Sequence, residues 1–144
     1  VLVGRRLRHA SEAEAATAVS HVLPLNDVTA RDLQKSDGQW TRAKGFDSFC
    51  PVGAPAPRGQ VDLEGLTVTT RVNGEVRQHA PVSDMAFPIP AILAHVSGIM
   101  TLEPGDIVAT GTPEGIGPLS PGDIVEVEVA GVGRVSNPVV DGSV

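Results

Sequence analysis

Apolar and polar residues alternate along this chain in short stretches, and each stretch predicts a short element. Ser11-Glu12-Ala13-Glu14 is a capping-box pattern, in which the serine and the glutamate each satisfy a free backbone N–H of a helix start. Alanine-rich sequence follows, with Val19, Val22 and Leu23 at helical spacing, and this predicts a helix from Ser11 to His21. A second, short helical turn is predicted between Asp27 and Lys35. From Gly45 to Gly65 periodicity is lost and Pro51, Pro55 and Pro57 intervene, which predicts a loop whose most mobile part is Ala54–Gly59. Leu66, Val68, Thr70 and Val72 then alternate. Asn73-Gly74 is a strong two-residue hairpin signal, so Leu66–Arg71 and Glu75–Gln78 are expected to pair.

Ile89, Ile92, Leu93, Val96, Ile99 and Met100 recur at the spacing of an amphipathic helix, with Pro88 and Pro90 suited to its first turn. Ile92 is expected in its buried face. Two similar turns follow, Glu103-Pro-Gly-Asp-Ile-Val and Ser120-Pro-Gly-Asp-Ile-Val, each leading into β-branched sequence. Two copies are too few for a repeat architecture. The first opens an apolar strand at Asp106–Ala109. After the second, Val125, Val127 and Val129 alternate with Glu126 and Glu128, the pattern of a half-buried strand. The fold class read from this layout is α+β: mainly β, with a strongly bent or barrel-like sheet and two short helices.

Composition narrows the function. The 144 residues are enough for a sizeable core without disulfides or a structural metal. Hydrophobic residues at 41% and charged residues at 19% exclude a wholly disordered chain. A net charge of −6 repels phosphate backbones, so no nucleic-acid partner is expected. Aromatics at 3% are too few for a platform that stacks bases, and sugar binding is disfavoured for the same reason. The single cysteine, Cys50, reads as a half-buried loop residue and offers neither a disulfide nor a zinc pair. No apolar run approaches the ~18 residues of a membrane span, and the opening segment turns basic at Arg5, unlike a signal peptide. The expectation is a cytoplasmic protein with no membrane partner.

Few residues carry chemistry. Asp27, Arg31 and Gln34 fall at i, i+4 and i+7 and share one stripe if that stretch is helical. A carboxylate, a guanidinium and an amide side by side suit a metal, an anion and a carbonyl. They equally describe a solvated face with an Asp–Arg pair of about 0.3–0.5 kcal/mol. Lys44, just before the proline-rich loop, is either an ordinary exposed lysine or an ammonium placed to neutralise a carboxylate or enolate. The run Thr110-Gly-Thr-Pro-Glu-Gly-Ile-Gly117 lets backbone N–H groups approach ligand oxygens, but it lacks the ending of a phosphate loop and also fits a tight structural turn. His9, His21, His79 and His95 are scattered, with His21 and His95 on predicted helices and none at metal-ligand spacing. No His–Cys dyad is visible.

The order of these segments is more specific than any one of them. Asn26-Asp-Val-Thr-Ala-Arg-Asp-Leu-Gln34, Ala43-Lys-Gly-Phe-Asp-Ser-Phe-Cys-Pro51 and Ile99-Met-Thr-Leu-Glu-Pro-Gly-Asp-Ile-Val-Ala-Thr-Gly-Thr-Pro-Glu-Gly-Ile-Gly117 together resemble the fumarylacetoacetate hydrolase family. The resemblance runs on through the Val72-Asn-Gly-Glu hairpin to Asn137-Pro138 and covers nearly the whole chain. It lies closest to the family's small bacterial acylpyruvate hydrolases and isomerase/decarboxylases.

That resemblance implies a mixed-sheet β-roll, Mg²⁺ (or Mn²⁺) as cofactor and a homodimer. It implies Asp27 as a metal ligand, Lys44, Arg31 and Gln34 as catalytic residues, and Thr110, Gly111 and Thr112 as binders of the substrate's carboxylate end. The implied reaction is metal-dependent hydrolysis of a C–C bond in an acylpyruvate-type 2-oxo acid, in aromatic or amino-acid breakdown. Decarboxylation or isomerisation on the same site is the alternative, and a non-catalytic dimerisation or binding module is the alternative of another class. The family's Glu-x-Glu ligand pair ends the strand that begins here at Val1, so it is expected a residue or two upstream, with the His/Glu lid segment further N-terminal still. The expectation is therefore one catalytic domain truncated on its N-terminal side, and inactive or nearly so by itself.

Overall fold

The computed structural model describes residues 1–142. Seven strands and four α-helices follow in chain order: β1 (Leu2–Val3), α1 (Glu12–Ala16), β2 (Val19–Val22), α2 (Arg31–Ser36), α3 (Thr41–Lys44), β3 (Ala56–Pro57), β4 (Thr67–Val72), β5 (Glu75–Pro81), α4 (Ile89–Ile99), β6 (Ile124–Val129) and β7 (Gly133–Pro138). The strands make a three-stranded sheet in the order β1-β2-β3 and a four-stranded sheet in the order β5-β4-β6-β7, with antiparallel pairing throughout. This is the α+β, mainly β architecture that the pattern predicts. The two expected helices are α1 and α4; α2 falls on the short helical turn expected between Asp27 and Lys35, and α3 is a one-turn addition.

The capping box forms. Ser11 Oγ accepts from the Glu14 backbone N–H, and the Glu14 carboxylate accepts from Ser11 N–H at 2.8 Å. The Ser11 backbone bond, followed by its hydroxyl, holds the Glu14 carboxyl below the usual range. The helix nevertheless stops well short of His21. Thr17 turns its hydroxyl back onto the Glu14 carbonyl at 2.9 Å, and Val19–Val22 becomes β2, flanked by β1 and β3. Two β-branched valines that bury within a paired strand outweigh the helical spacing. His21 is thus a strand residue. The expected Gly45–Gly65 loop likewise contains β3, and Cys50 is exposed, with φ +67°.

In the larger sheet, Asn73 and Gly74 take φ of +53° and +82°, the left-handed pair that a two-residue hairpin of this twist requires. β5 continues to Pro81, beyond the predicted end. Its register against β4 slips between Thr70, opposite Gln78, and Arg71, opposite Val76, so Arg77 sits in a bulge. Val68, Thr70 and Val72 line one face with Val125, Val127 and Val129. On the other face Arg71 bridges Glu128 at 2.7 Å and Glu126 at 3.5 Å, and Arg134 meets Glu126 at 3.4 Å.

The two similar turns adopt the same geometry. Gly105 and Gly122 have φ of +99° and +96°, while Asp106 and Asp123 each accept a backbone N–H at 2.8 Å, from Glu103 and Ser120. After the first turn, Asp106–Ala109 lies extended beside β1 rather than forming a strand of its own. Val3 N–H reaches Asp106 O at 2.9 Å and Val108 N–H reaches Val1 O at 3.0 Å.

Helix α4 buries Ile89, Leu93 and Ser97, whereas Ile92 is half-buried outside both apolar clusters and Ile99 and Met100 are 70% and 59% exposed. The core face is rotated from the hydropathy stripe because Ser97 takes a core position. Its hydroxyl donates to Ala94 O at 2.8 Å and accepts from Ala10 N–H at 3.0 Å, so its burial leaves no polar atom unpaired. One cluster packs α1 and α4 around Val3, Leu7 and Leu102. The other joins Val22, Val61, Leu66 and Val129 across the two sheets.

Candidate active site

Asp27 stands where the chain leaves β2. Asn26 N–H donates to Pro51 O at 3.0 Å and Leu25 pairs with Val52, which fixes this segment against the proline-rich stretch. Asp27 precedes α2, so the expected single stripe of Asp27, Arg31 and Gln34 does not form. Its partner is Lys44, at the end of α3, whose Nζ lies 2.5 Å from Asp27 Oδ2. Fully buried Ala43 anchors that end, its carbonyl accepting Ala30 N–H at 2.9 Å. The Lys44 ammonium also sits 6.0 Å from the centroid of the Trp40 ring. Arg31 and Gln34 bond to each other through Nη1 and Oε1.

A pocket of about 170 Å³ opens between the two sheets. Its walls are aliphatic, among them Val22, Leu23, Val68, Val82, Val127 and Val129. Its polar groups are Asp27 and the segment Thr110, Gly111 and Thr112. The structure therefore brings Asp27, Thr110, Gly111 and Thr112 into one cavity, with Lys44 joined to it through Asp27. Arg31 and Gln34 do not line it. Few convergent polar groups in an apolar cleft are the usual make-up of a small-molecule site.

The Thr110–Gly117 segment is held from outside by β5, which sequence reasoning did not connect with it. Gln78 Nε2 donates to Pro113 O at 2.7 Å, half-buried, and Gly115, at φ +95°, approaches Arg77 O so closely that a Cβ there would lie 1.9 Å from it. The glycines were visible as a motif. The strand they dock on was not, because nothing in the spacing relates residues 77–78 to 113–115.

Among the described residues, no three His, Cys, Asp or Glu side chains come together. A hard divalent cation takes several oxygen ligands. Asp27 offers one carboxylate, already paired with an ammonium, so the described residues do not by themselves complete a magnesium site. Among these residues no helix is long and apolar enough to cross a membrane.

Residues 1–140 match the model of the fumarylacetoacetate (FAA) hydrolase C-terminal family, and the chain belongs to that family. It is 44% identical over 137 residues to the mitochondrial oxaloacetate tautomerase of Bos taurus, covering 92% of this chain and 62% of that protein. It superposes with a TM-score of 0.93 on a 2-hydroxyhepta-2,4-diene-1,7-dioate isomerase from Mycobacterium marinum, at 47% identity, covering 99% of this chain and 56% of the other. On maleylpyruvate hydrolase from a Sphingobium species the TM-score is 0.89 at 34% identity, with 98% and 52% covered. The chain thus spans little more than half the length of the proteins it matches, and their names divide among a tautomerase, an isomerase and a hydrolase.

Proposed function

We propose that the protein is an enzyme that hydrolyses a C–C bond in an acylpyruvate-type 2-oxo acid. The observation that carries this reading is one pocket holding Asp27 and Thr110–Thr112, with the Lys44 ammonium 2.5 Å from Asp27. Thr110 and Thr112 offer hydroxyl donors, and Gly111 an open backbone, to the carboxylate end of the substrate. Water adds to the distal carbonyl, the C–C bond breaks, and its electron pair stays with the three-carbon fragment as an enolate. Lys44 compensates that charge in a partly desolvated place. Protonation at carbon then gives pyruvate, with the acyl group released as a carboxylic acid. Arg31 and Gln34 are assigned to the water and the outer end of the substrate, and must turn toward the pocket to act there. Dependence on Mg²⁺ or Mn²⁺ belongs to this reading, with Asp27 one ligand and the others outside the described residues. So do a cytoplasmic setting and a homodimer, for which exposed Phe87, Ile99 and Met100 offer apolar surface.

A second reading, enol–keto isomerisation or decarboxylation of a 2-oxo acid, needs the same stabilised enolate and draws on the likeness to the tautomerase and the isomerase. The test is the ultraviolet absorbance of an enolised acylpyruvate incubated with the full-length protein, with Mg²⁺ or with EDTA. The expected result is decay with Mg²⁺, none with EDTA, and equal yields of pyruvate and acid. Accelerated ketonisation of oxaloacetate without cleavage selects the second reading. No turnover of either substrate leaves a non-catalytic binding module.

A further inference from the structure

We infer that Gln78 is a positioning residue, which sets the affinity for the substrate's carboxylate by fixing the loop that carries Thr110–Thr112. This rests on the assignment of that loop to carboxylate binding.

Three observations on β5 converge on the loop. The bulge at Arg77 breaks the regular pairing with β4, leaving Arg77 and its carbonyl without a facing residue there. That carbonyl faces Gly115, where a left-handed φ and the lack of a side chain permit contact that no other residue allows. One residue on, Gln78 regains register opposite Thr70 and donates its amide to Pro113 O at 2.7 Å. Proline has no N–H, so Pro113 cannot tie its own backbone to a strand as a donor. The carbonyl is its remaining anchor, and Gln78 takes it. Thr112 is the next residue back along the chain, and it lines the pocket. Without these ties the loop would have to be ordered by the ligand, and the cost of ordering would appear in binding.

The test uses the full-length protein with Gln78→Leu, Gln78→Glu and Thr110→Ala. Turnover of an acylpyruvate gives KM and kcat, and titration with oxalate, a carboxylate-bearing mimic of the pyruvate enolate, gives an affinity independent of turnover. Loss of one half-buried neutral hydrogen bond is expected to raise KM and the oxalate Kd together by about three- to tenfold, with kcat within about twofold of wild type. Where Gln78→Leu does not fold, the isosteric Gln78→Glu, whose carboxylate has no proton to donate to Pro113 O at neutral pH, is read in its place. Unchanged KM and oxalate affinity, or a fall in kcat with KM unchanged, overturns the positioning role. If Thr110→Ala also binds oxalate like wild type, the loop assignment itself fails. If Thr110→Ala weakens oxalate and the Gln78 variants do not, only the positioning inference falls.

Discussion

Asp27 and Lys44 are joined across two separate segments at the edge of a mainly aliphatic pocket, with side-chain exposures of 36% and 30%. Neither belongs to an apolar cluster, so substitution should reach function before stability. Lys44→Met and Asp27→Asn in the full-length protein are each expected to lower kcat by about 100-fold or more, the scale of losing one preorganised charge-stabilising group. Thermal melting should stay close to wild type, and variants that melt normally and turn over normally would remove the pair from the reaction. Core residues behave in the opposite way. Leu93, 0% exposed, should cost about 2–5 kcal/mol when cut to alanine, whereas half-buried Ile92 should cost about 1 kcal/mol. Urea unfolding of the two variants checks this, and equal losses would return Ile92 to the core.

At the scale of elements, the two Pro-Gly-Asp turns show how a side chain closes a turn on its own backbone. The Asp123 carboxyl is held below the usual aspartate range, first by the Ser120 backbone N–H and then by the Asn73 amide. A lowered folded value means that its contribution is complete above the ordinary aspartate range and is lost as pH falls through the lowered value. Asp123→Asn should therefore flatten the acid limb of a plot of Tm against pH below about pH 4. An acid limb of unchanged slope would place the acid sensitivity elsewhere.

These turns, the capping box at Ser11 and the Asn73-Gly74 hairpin were legible because each is closed within a few residues by bonds whose partners the sequence places side by side. β2 and β3 were not legible, since Val19–Val22 becomes a strand only through pairing with Leu2–Val3 and Ala56–Pro57. The burial of Ser97 depends on Ala10, far away in sequence, so the buried face of α4 could not be read from hydropathy. In the site, Asp27 and the Thr110–Thr112 loop were visible as motifs. The Asp27–Lys44 bridge and the support from Gln78 depend on tertiary contact and were not.

On the scale of the molecule, the pocket lies where the two sheets face each other, so a ligand there touches both. Oxalate at a hundredfold excess over its Kd should stabilise the full-length protein by about 2.7 kcal/mol, seen as a rise in Tm. No rise at any concentration would mean that the cavity does not receive this chemistry. The chain matches just over half of the length of its relatives, so this measurement belongs to the full-length protein.

The pairing of β1 with the Asp106–Val108 segment also bears on how the protein is made. Val1 and Val108 are bonded across 107 positions of chain, and such a closure pays its loop entropy before any contact repays it. At ribosomal rates of about 5–20 residues per second, Leu2 and Val3 wait on the order of ten seconds for that edge to arrive. Val1 and the Val108–Thr112 run both line the pocket, so the cavity cannot take shape before that run has been made. Until then a nascent chain holds an open strand edge that only its own later residues can close.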